Sequence, residues 1–221
     1  MSLTNEQIKR FELSIIFSFV GLYVWVAVKY LWVYPFFGDP IDYIAPVILK
    51  TQWAERPPEI FFIMVVVGVG IFASFMKAHI AAPVYVLFVH AAILSVGALW
   101  LYGKKGLIAA VAFASFFMGY MEFTYGATYI RHVQTETLFI LLAVVTFFQD
   151  GNSERFKTFK KYAFLPELLK SRFFYVGLFC ACALFSKPTA VAVIWLLSLQ
   201  ILINKDLDRG RVFRECVFGG L

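Results

Sequence analysis

Long apolar runs separated by short polar breaks dominate the chain. The first extends from Phe11 to about Tyr34, with Glu12 at its start and Lys29 near its end, where a long side chain can reach the interface. At roughly 20 apolar residues or more it is long enough to span a hydrocarbon core. A polar loop follows, and then Glu59 to Met76 is apolar again, with Gly68 and Gly70 inside it. The pattern predicts further helices over Ile80 to Leu101, Leu107 to about Tyr125 and Thr137 to Phe148. Tyr102-Gly103-Lys104-Lys105-Gly106 separates the first two, and the polar patch Thr128 to Glu136 precedes the third. Phe173 to Phe185 and Thr189 to Ile203 are apolar and flank Ser186-Lys187-Pro188. Read as one helix they would be about 46 Å long, too long for an untilted crossing, so a hairpin turning at Lys187-Pro188 is expected. Gln149 to Arg172 reads as a basic loop in which Pro166-Glu167 starts a short helix, and Asn204 to Arg214 as a second basic loop before Glu215 to Leu221.

Composition narrows the class. The 221 residues are 61% hydrophobic, 19% aromatic and 15% charged, which is too apolar for a soluble domain and leaves no stretch for a separate soluble one. The expected fold class is therefore all-α, a polytopic transmembrane helical bundle forming a single module over residues 1–221. The polar start, Met1 to Arg10, has no small-residue cleavage site and reads as the lead-in to an uncleaved first helix. A net charge of +6 would raise nucleic acid as a partner in a soluble protein; here the basic residues lie between apolar runs and report topology instead. Cys180, Cys182 and Cys216 match neither a disulfide framework nor a metal spacing.

Two topologies satisfy the charge distribution. If Glu59 to Met76 lies in the interface, fourteen Lys and Arg residues share the side of Lys9 and Arg10, against five (Lys50, Arg56, Lys77, Arg131, Lys187) on the other. The positive-inside rule then places the N-terminus in the cytoplasm. If that segment crosses, the same ratio requires the N-terminus outside. Only the first arrangement puts Asp39, Glu55, Arg131, Glu136 and Lys187 on one non-cytoplasmic face.

The chemistry-bearing residues cluster in that arrangement. The loop from Phe36 to Pro58 contains Asp39, Asp42 and Glu55 with four prolines, which cannot continue a helix. It therefore sets carboxylates at the water interface, where they cost little. With Glu136, Arg56, Arg131, Lys187 and His132 they form a set able to act as general base, hold a divalent metal or neutralise a phosphate leaving group. Each residue also has a plainer reading. Asp42 and Glu55 suit a solvated loop, Asp39 a turn, and Arg131 an interfacial anchor. Glu136 suits a helix start, where the dipole favours an acid, and Lys187 suits a topology anchor. His79 and His90 read as interfacial and packed residues, and Gly68-Val69-Gly70 as close helix packing rather than a phosphate loop, since no strand precedes it.

The order of these motifs resembles the GT-C fold glycosyltransferases, integral-membrane enzymes that use polyprenyl-phosphate-linked sugars. Gly38-Asp39-Pro40-Ile41-Asp42-Tyr43 resembles the acidic first-loop motif. Glu55-Arg56-Pro57-Pro58 before Phe61-Phe62 is similar to a segment of the aminoarabinose transferase and protein O-mannosyltransferase branch. Tyr102 to Gly106 resembles its Gly-basic-basic turn, Tyr129 to Glu136 its second outer loop, and Leu184-Phe185-Ser186-Lys187-Pro188 its Leu-Thr-Lys-Pro turn. Each motif is short; their order across nearly the whole chain carries the resemblance.

That resemblance implies a GT-C-like bundle of about six membrane helices plus an interfacial helix in the first outer loop. It further implies a hexosyl or pentosyl transferase of the inner (plasma) membrane, N-terminus cytoplasmic, moving sugar from a polyprenyl-phosphate donor to a lipid, glycan or protein acceptor outside. Asp39 would activate the acceptor, with Glu136 as a second acid at the same cavity. Glu55 and Arg56 would line the donor phosphate or, with Asp39, a divalent-metal site. Arg131, Lys187 and Tyr43 would contact substrate. The chain departs from the family in having Pro40 where a second acid is common, and in stopping before the family's C-terminal helices, which suits a fragment, one piece of a split enzyme whose second chain supplies them, or a remnant. The competing expectation is a non-catalytic membrane subunit, or a truncated remnant, that binds lipid or a partner protein. A transporter half fits less well, because Lys29 alone is a charge within a span.

Overall fold

The computed structural model describes residues 4–31, 63–119, 132–149, 169 and 171–220, and among these the chain is all-helical, without strands. The helices are α1 (Asn5–Leu31), α2 (Ile63–Ala73), α3 (Ala78–Lys105), α4 (Leu107–Gly119), α5 (His132–Phe147), α6 (Arg172–Leu184), α7 (Val191–Ile203) and α8 (Arg209–Gly220), with a short 3-10 helix at Pro188–Ala190. Two stretches, Asn5–Lys29 and Ile80–Lys105, are long and apolar enough to cross a membrane. The chain separates into two compact units, one gathering the described parts of 1–57 and 65–134 and the other those of 58–64 and 135–221.

In the first unit, α1 begins ahead of the apolar run because Thr4 and Gln7 form a reciprocal capping box. The Gln7 amide donates to Thr4 Oγ1 at 3.3 Å and the Thr4 amide to Gln7 Oε1 at 2.9 Å, satisfying two donors that a helix start leaves unpaired. Ile16, Tyr23 and Ala27, seven and then four residues apart, make the buried stripe of α1, while Phe11, Phe17, Leu22 and Trp25 remain exposed on the rest of its surface. Two polar contacts fix its direction against α3: Tyr102 donates to Glu12 Oε2 at 2.6 Å near one end, and the Tyr23 hydroxyl bonds His90 Nδ1 in the interior. Later residues of α1 thus meet earlier residues of α3, so the pair is antiparallel. Lys9 and Arg10 lie at the same end as Lys104 and Lys105.

The sequence pattern expects α3 to close at Leu101, but it runs on to Lys105, so Tyr102 to Lys105 are its last turn rather than a loop. The two lysines there oppose the negative end of the helix dipole. The reversal falls to Gly106 alone, at φ 82, a conformation costly for residues with a Cβ. α4 folds back on α3, and Ile16, Ala98 and Ala110 close a small core with Leu99, Tyr102, Leu107 and Phe113. His90, fully buried, lies among Tyr23 and Phe117, with ring centroids 5.9 and 6.1 Å away, so its expected packed role holds. The glycine pair of α2 divides. A Cβ on Gly68 would strike the Tyr85 ring at 2.2 Å, as close packing requires, whereas Gly70 has open space beside it.

The second unit is built on a chain reversal. Phe173 and Val176 of α6 share one apolar cluster with Leu197 and Ile201 of α7, joined by Ala143, Phe147 and Val212. A straight continuation would hold Phe173 and Ile201 about 42 Å apart, so the hairpin expected at Lys187-Pro188 is present. The loop expected over Asn204 to Arg214 ends early, because the chain is helical from Arg209 onward. Asp208 Oδ1 accepts from the Arg211 amide at 3.2 Å and caps α8, which lies along α6 with the two backbones touching. A Cβ at Gly177 would stand 1.8 Å from the Cys216 carbonyl oxygen, and one at Gly219 would stand 1.9 Å from that of Phe174. Gly177 and Ala181 together form the small-residue face that lets two helices approach this closely. The contact is pinned by Glu215, which accepts from Ser171 Oγ at 2.5 Å and from Arg211 Nε at 2.8 Å, while Ser171 caps α6.

Because backbone cannot swing aside as a side chain can, Gly177→Ala should destabilise the fold by roughly 1–3 kcal/mol. Gly103→Ala, at a helical site with nothing within 4 Å, should be neutral or stabilising by at most about 1 kcal/mol. Thermal unfolding of both variants in one detergent, followed by intrinsic fluorescence, measures the contrast.

Candidate functional site

Of the residues expected to carry chemistry, Asp39, Asp42, Tyr43, Glu55, Arg56 and Arg131 lie outside the described residues. Glu136 and Lys187 lie within them, in the second unit, and the fold brings their two segments together. The polar patch before Thr137 was expected to be loop, with Glu136 at a helix start. Instead α5 already begins at His132, and Glu136 lies more than one turn in. The correction has a packing cause. Gln134, Thr135 and Glu136 are all buried, so their backbone needs helical hydrogen bonds that a loop would not supply.

The opposite wall is the reversal after α6. The helix stops where proline forces it to: Lys187, preceding Pro188, is extended at φ −165 and ψ 137, and Pro188 opens the 3-10 turn at a position where its missing N–H costs nothing. The Lys187 amide still bonds the Ala183 carbonyl at 2.9 Å, and Ser186 Oγ donates to the Cys182 carbonyl at 2.8 Å, so the turn is tied down at its inner edge. Ala183, Ser186 and Ala190 are buried beneath it. Thr189 is left exposed at the rim, and its hydroxyl donates to Glu136 Oε1 at 2.5 Å.

This contact defines the local electrostatics. Glu136 is only 6% exposed, and among the described residues it has no cation within ion-pair distance and no second hydrogen-bond donor. A hydroxyl donating to a carboxylate at that distance is a charge-assisted bond, stronger than a neutral one. Lys187, two residues away along the turn, is half-buried and forms no ion pair among the described residues. A carboxylate with one oxygen held by a hydroxyl can still accept a proton or a hydrogen bond through the other, and the turn that supplies the hydroxyl also carries the cation Lys187. No group of three or more His, Cys, Asp or Glu suited to a metal occurs among the described residues, and both residues named as candidate ligands, Asp39 and Glu55, lie outside them.

Thr189 is the participant that sequence reasoning passed over. The signal was there in Lys187-Pro188-Thr189, a hydroxyl residue inside a turn that proline makes rigid. The chain matches no known protein-family model, no curated protein and no solved structure.

The three thiols are unbridged, and Cys216 is the one on a helix too rich in arginine to be an apolar span. Burial, then Cys180 and the Glu215 carboxylate, push it up to about 12. Only the thiolate attacks an alkylating reagent, so a raised value slows the reaction at neutral pH. With Cys180 and Cys182 replaced by Ser, maleimide should modify Cys216 at pH 7.5 at least about 100-fold more slowly than free cysteine, whose thiol ionises near 8.5. The rate should climb about 10-fold per pH unit between pH 8 and 10 while the fold persists; mass spectrometry of timed aliquots reads both.

Proposed function

We propose that this chain is a membrane transferase module of the GT-C type, moving a sugar from a polyprenyl-phosphate donor to a lipid, glycan or protein acceptor on the non-cytoplasmic face. The observation that supports this reading best is the hydrogen bond between Thr189 and Glu136. It joins the start of α5, which resembles the second outer loop of that family, to the Lys187-Pro188 turn, which resembles its basic-Pro turn. Two motifs selected separately along the sequence thus meet at one point.

The charge pattern agrees with the expected sidedness within each unit. In the first, Lys9, Arg10, Lys104 and Lys105 gather at one end. In the second, Arg172, Lys205 and Arg209 gather at the end opposite Glu136 and Lys187, as the hairpin and the parallel course of α8 along α6 require. The positive-inside rule makes the basic ends cytoplasmic and turns Glu136 and Lys187 outward.

In the reaction, an acceptor oxygen or nitrogen bonds to the anomeric carbon as the bond from that carbon to the phosphate oxygen breaks. The polyprenyl phosphate leaves with the electron pair, and the acceptor proton passes to a carboxylate. Asp39 is assigned that proton, with Glu136 as the second acid. Lys187, Arg56 and Arg131 offset the charge that grows on the departing phosphate. Glu55 is assigned to the same donor, Glu55 and Asp39 would be the residues to hold a divalent metal, and Tyr43 is assigned to substrate contact.

In lipid nanodiscs, transfer of radiolabelled sugar from a polyprenyl-phosphate donor to an endogenous lipid extract should fall at least about 100-fold in Asp39→Ala and in Glu136→Gln, the scale of losing a general base or acid. Wild-type activity in both variants would overturn the assignment of Asp39 and Glu136, whereas a wild-type chain that transfers no sugar would leave the non-catalytic membrane subunit as the better reading. Sidedness gives an independent check in a Cys-free background. Single cysteines at Gln52 and Lys187 should react with an impermeant thiol reagent on intact cells, and one at Asp206 only after permeabilisation.

A further inference from the structure

Within the proposed site, and resting on that reading, we infer that Thr189 is a positioning residue that holds Glu136 in its working orientation. Glu136 is buried, so its rotamer is set by what it touches. Its only hydrogen bond among the described residues is the one Thr189 donates to Oε1 at 2.5 Å. A carboxylate fixed through one oxygen presents the other, Oε2, in a defined direction, and that oxygen is left for the acceptor hydroxyl or ammonium.

Thr189 can perform this task because its own backbone is constrained on both sides. Lys187 is extended by the following proline, Pro188 opens the 3-10 turn, and the Ala190 amide closes on the Lys187 carbonyl at 3.2 Å. Ala190 is fully buried immediately after it, which anchors the turn to the interior while Thr189 stays at the rim. The hydroxyl is thus carried on a rigid element, as a supporting hydrogen bond needs to be. Its methyl group and β-branching are incidental to that role. Serine should replace it and valine, of the same shape, should not.

The test compares Thr189→Val, Thr189→Ser and wild type in lipid nanodiscs, with Glu136→Gln used to identify the Glu136 carboxylate band by infrared difference spectroscopy. The band should move in Thr189→Val and return in Thr189→Ser. In the same samples, transfer from the polyprenyl-phosphate donor should show kcat lowered on the order of 10- to 100-fold in Thr189→Val with KM unchanged, and restored in Thr189→Ser. An unmoved band, or a kcat in Thr189→Val equal to wild type, overturns the positioning role. The transferase reading fails separately: a wild-type protein that transfers no sugar while its band still moves with Thr189→Val and recovers with Thr189→Ser keeps the hydrogen bond and discards the reaction.

Discussion

A buried carboxylate held by a single hydroxyl is the constraint from which the second unit is most easily understood. Leaving Glu136 with no donor would cost about 1–3 kcal/mol or more for a charged group, so the chain has to deliver one to that point. Thr189 is 53 residues further along. To arrive there, α6 must end at the right height, the chain must reverse, and the reversal must be stiff. Proline meets the last two needs together, because it stops the helix and fixes the conformation of the residue before it. Lys187 is then extended as a consequence of supplying Thr189, and the turn carries it two residues before the hydroxyl.

The first unit solves the same problem with different groups. His90 is fully buried in a helix whose other buried residues are mostly aliphatic, and the Tyr23 hydroxyl of α1 bonds its Nδ1. Glu12 near the start of α1 receives the Tyr102 hydroxyl. In an apolar interior there is little preference for one apolar face over another, so polar pairs of this kind set the register and direction of helices that hydrophobicity alone would let slide. That α1 and α3 run antiparallel follows from these two contacts.

The sequence made the helical class, the hairpin at Lys187-Pro188 and the packed role of His90 legible, because each depends on local pattern: apolar run length, proline position, or one polar residue among many apolar ones. Helix ends were less legible. The capping box at Thr4 and Gln7 and the cap at Asp208 were present as residue types, but hydropathy weighs only apolar content, so it starts the first helix at Phe11, too late, and gives no helix after Asp208. α8 was missed for the same reason, since three arginines mask a helix whose contact face is Val212, Glu215, Cys216 and Gly219. The polar pattern sets Glu136 at a helix start with loop before it, although the burial of Gln134 and Thr135 beside it makes an earlier helix start necessary. Of the expected site residues, the described structure places Glu136 and Lys187 in adjoining segments, and it adds Thr189.

The glycine contact between α6 and α8 bears on the site as well as on the fold. Gly177 lies about three turns before Thr189 in the chain, and the backbone of α8 rests on it. The position of α6 sets where its last turn ends, and Ser186, bonded to the Cys182 carbonyl, passes that position to the reversal. A shift of α6 away from α8 would therefore carry Lys187 and Thr189 with it and lengthen the bond to Glu136. Hydrogen bonds weaken steeply with distance and angle, so a displacement of an ångström at the contact is enough to release the carboxylate. Glycine at 177 is thus tied to the chemistry proposed for the turn, through rigid helix rather than through any contact of its own with the site.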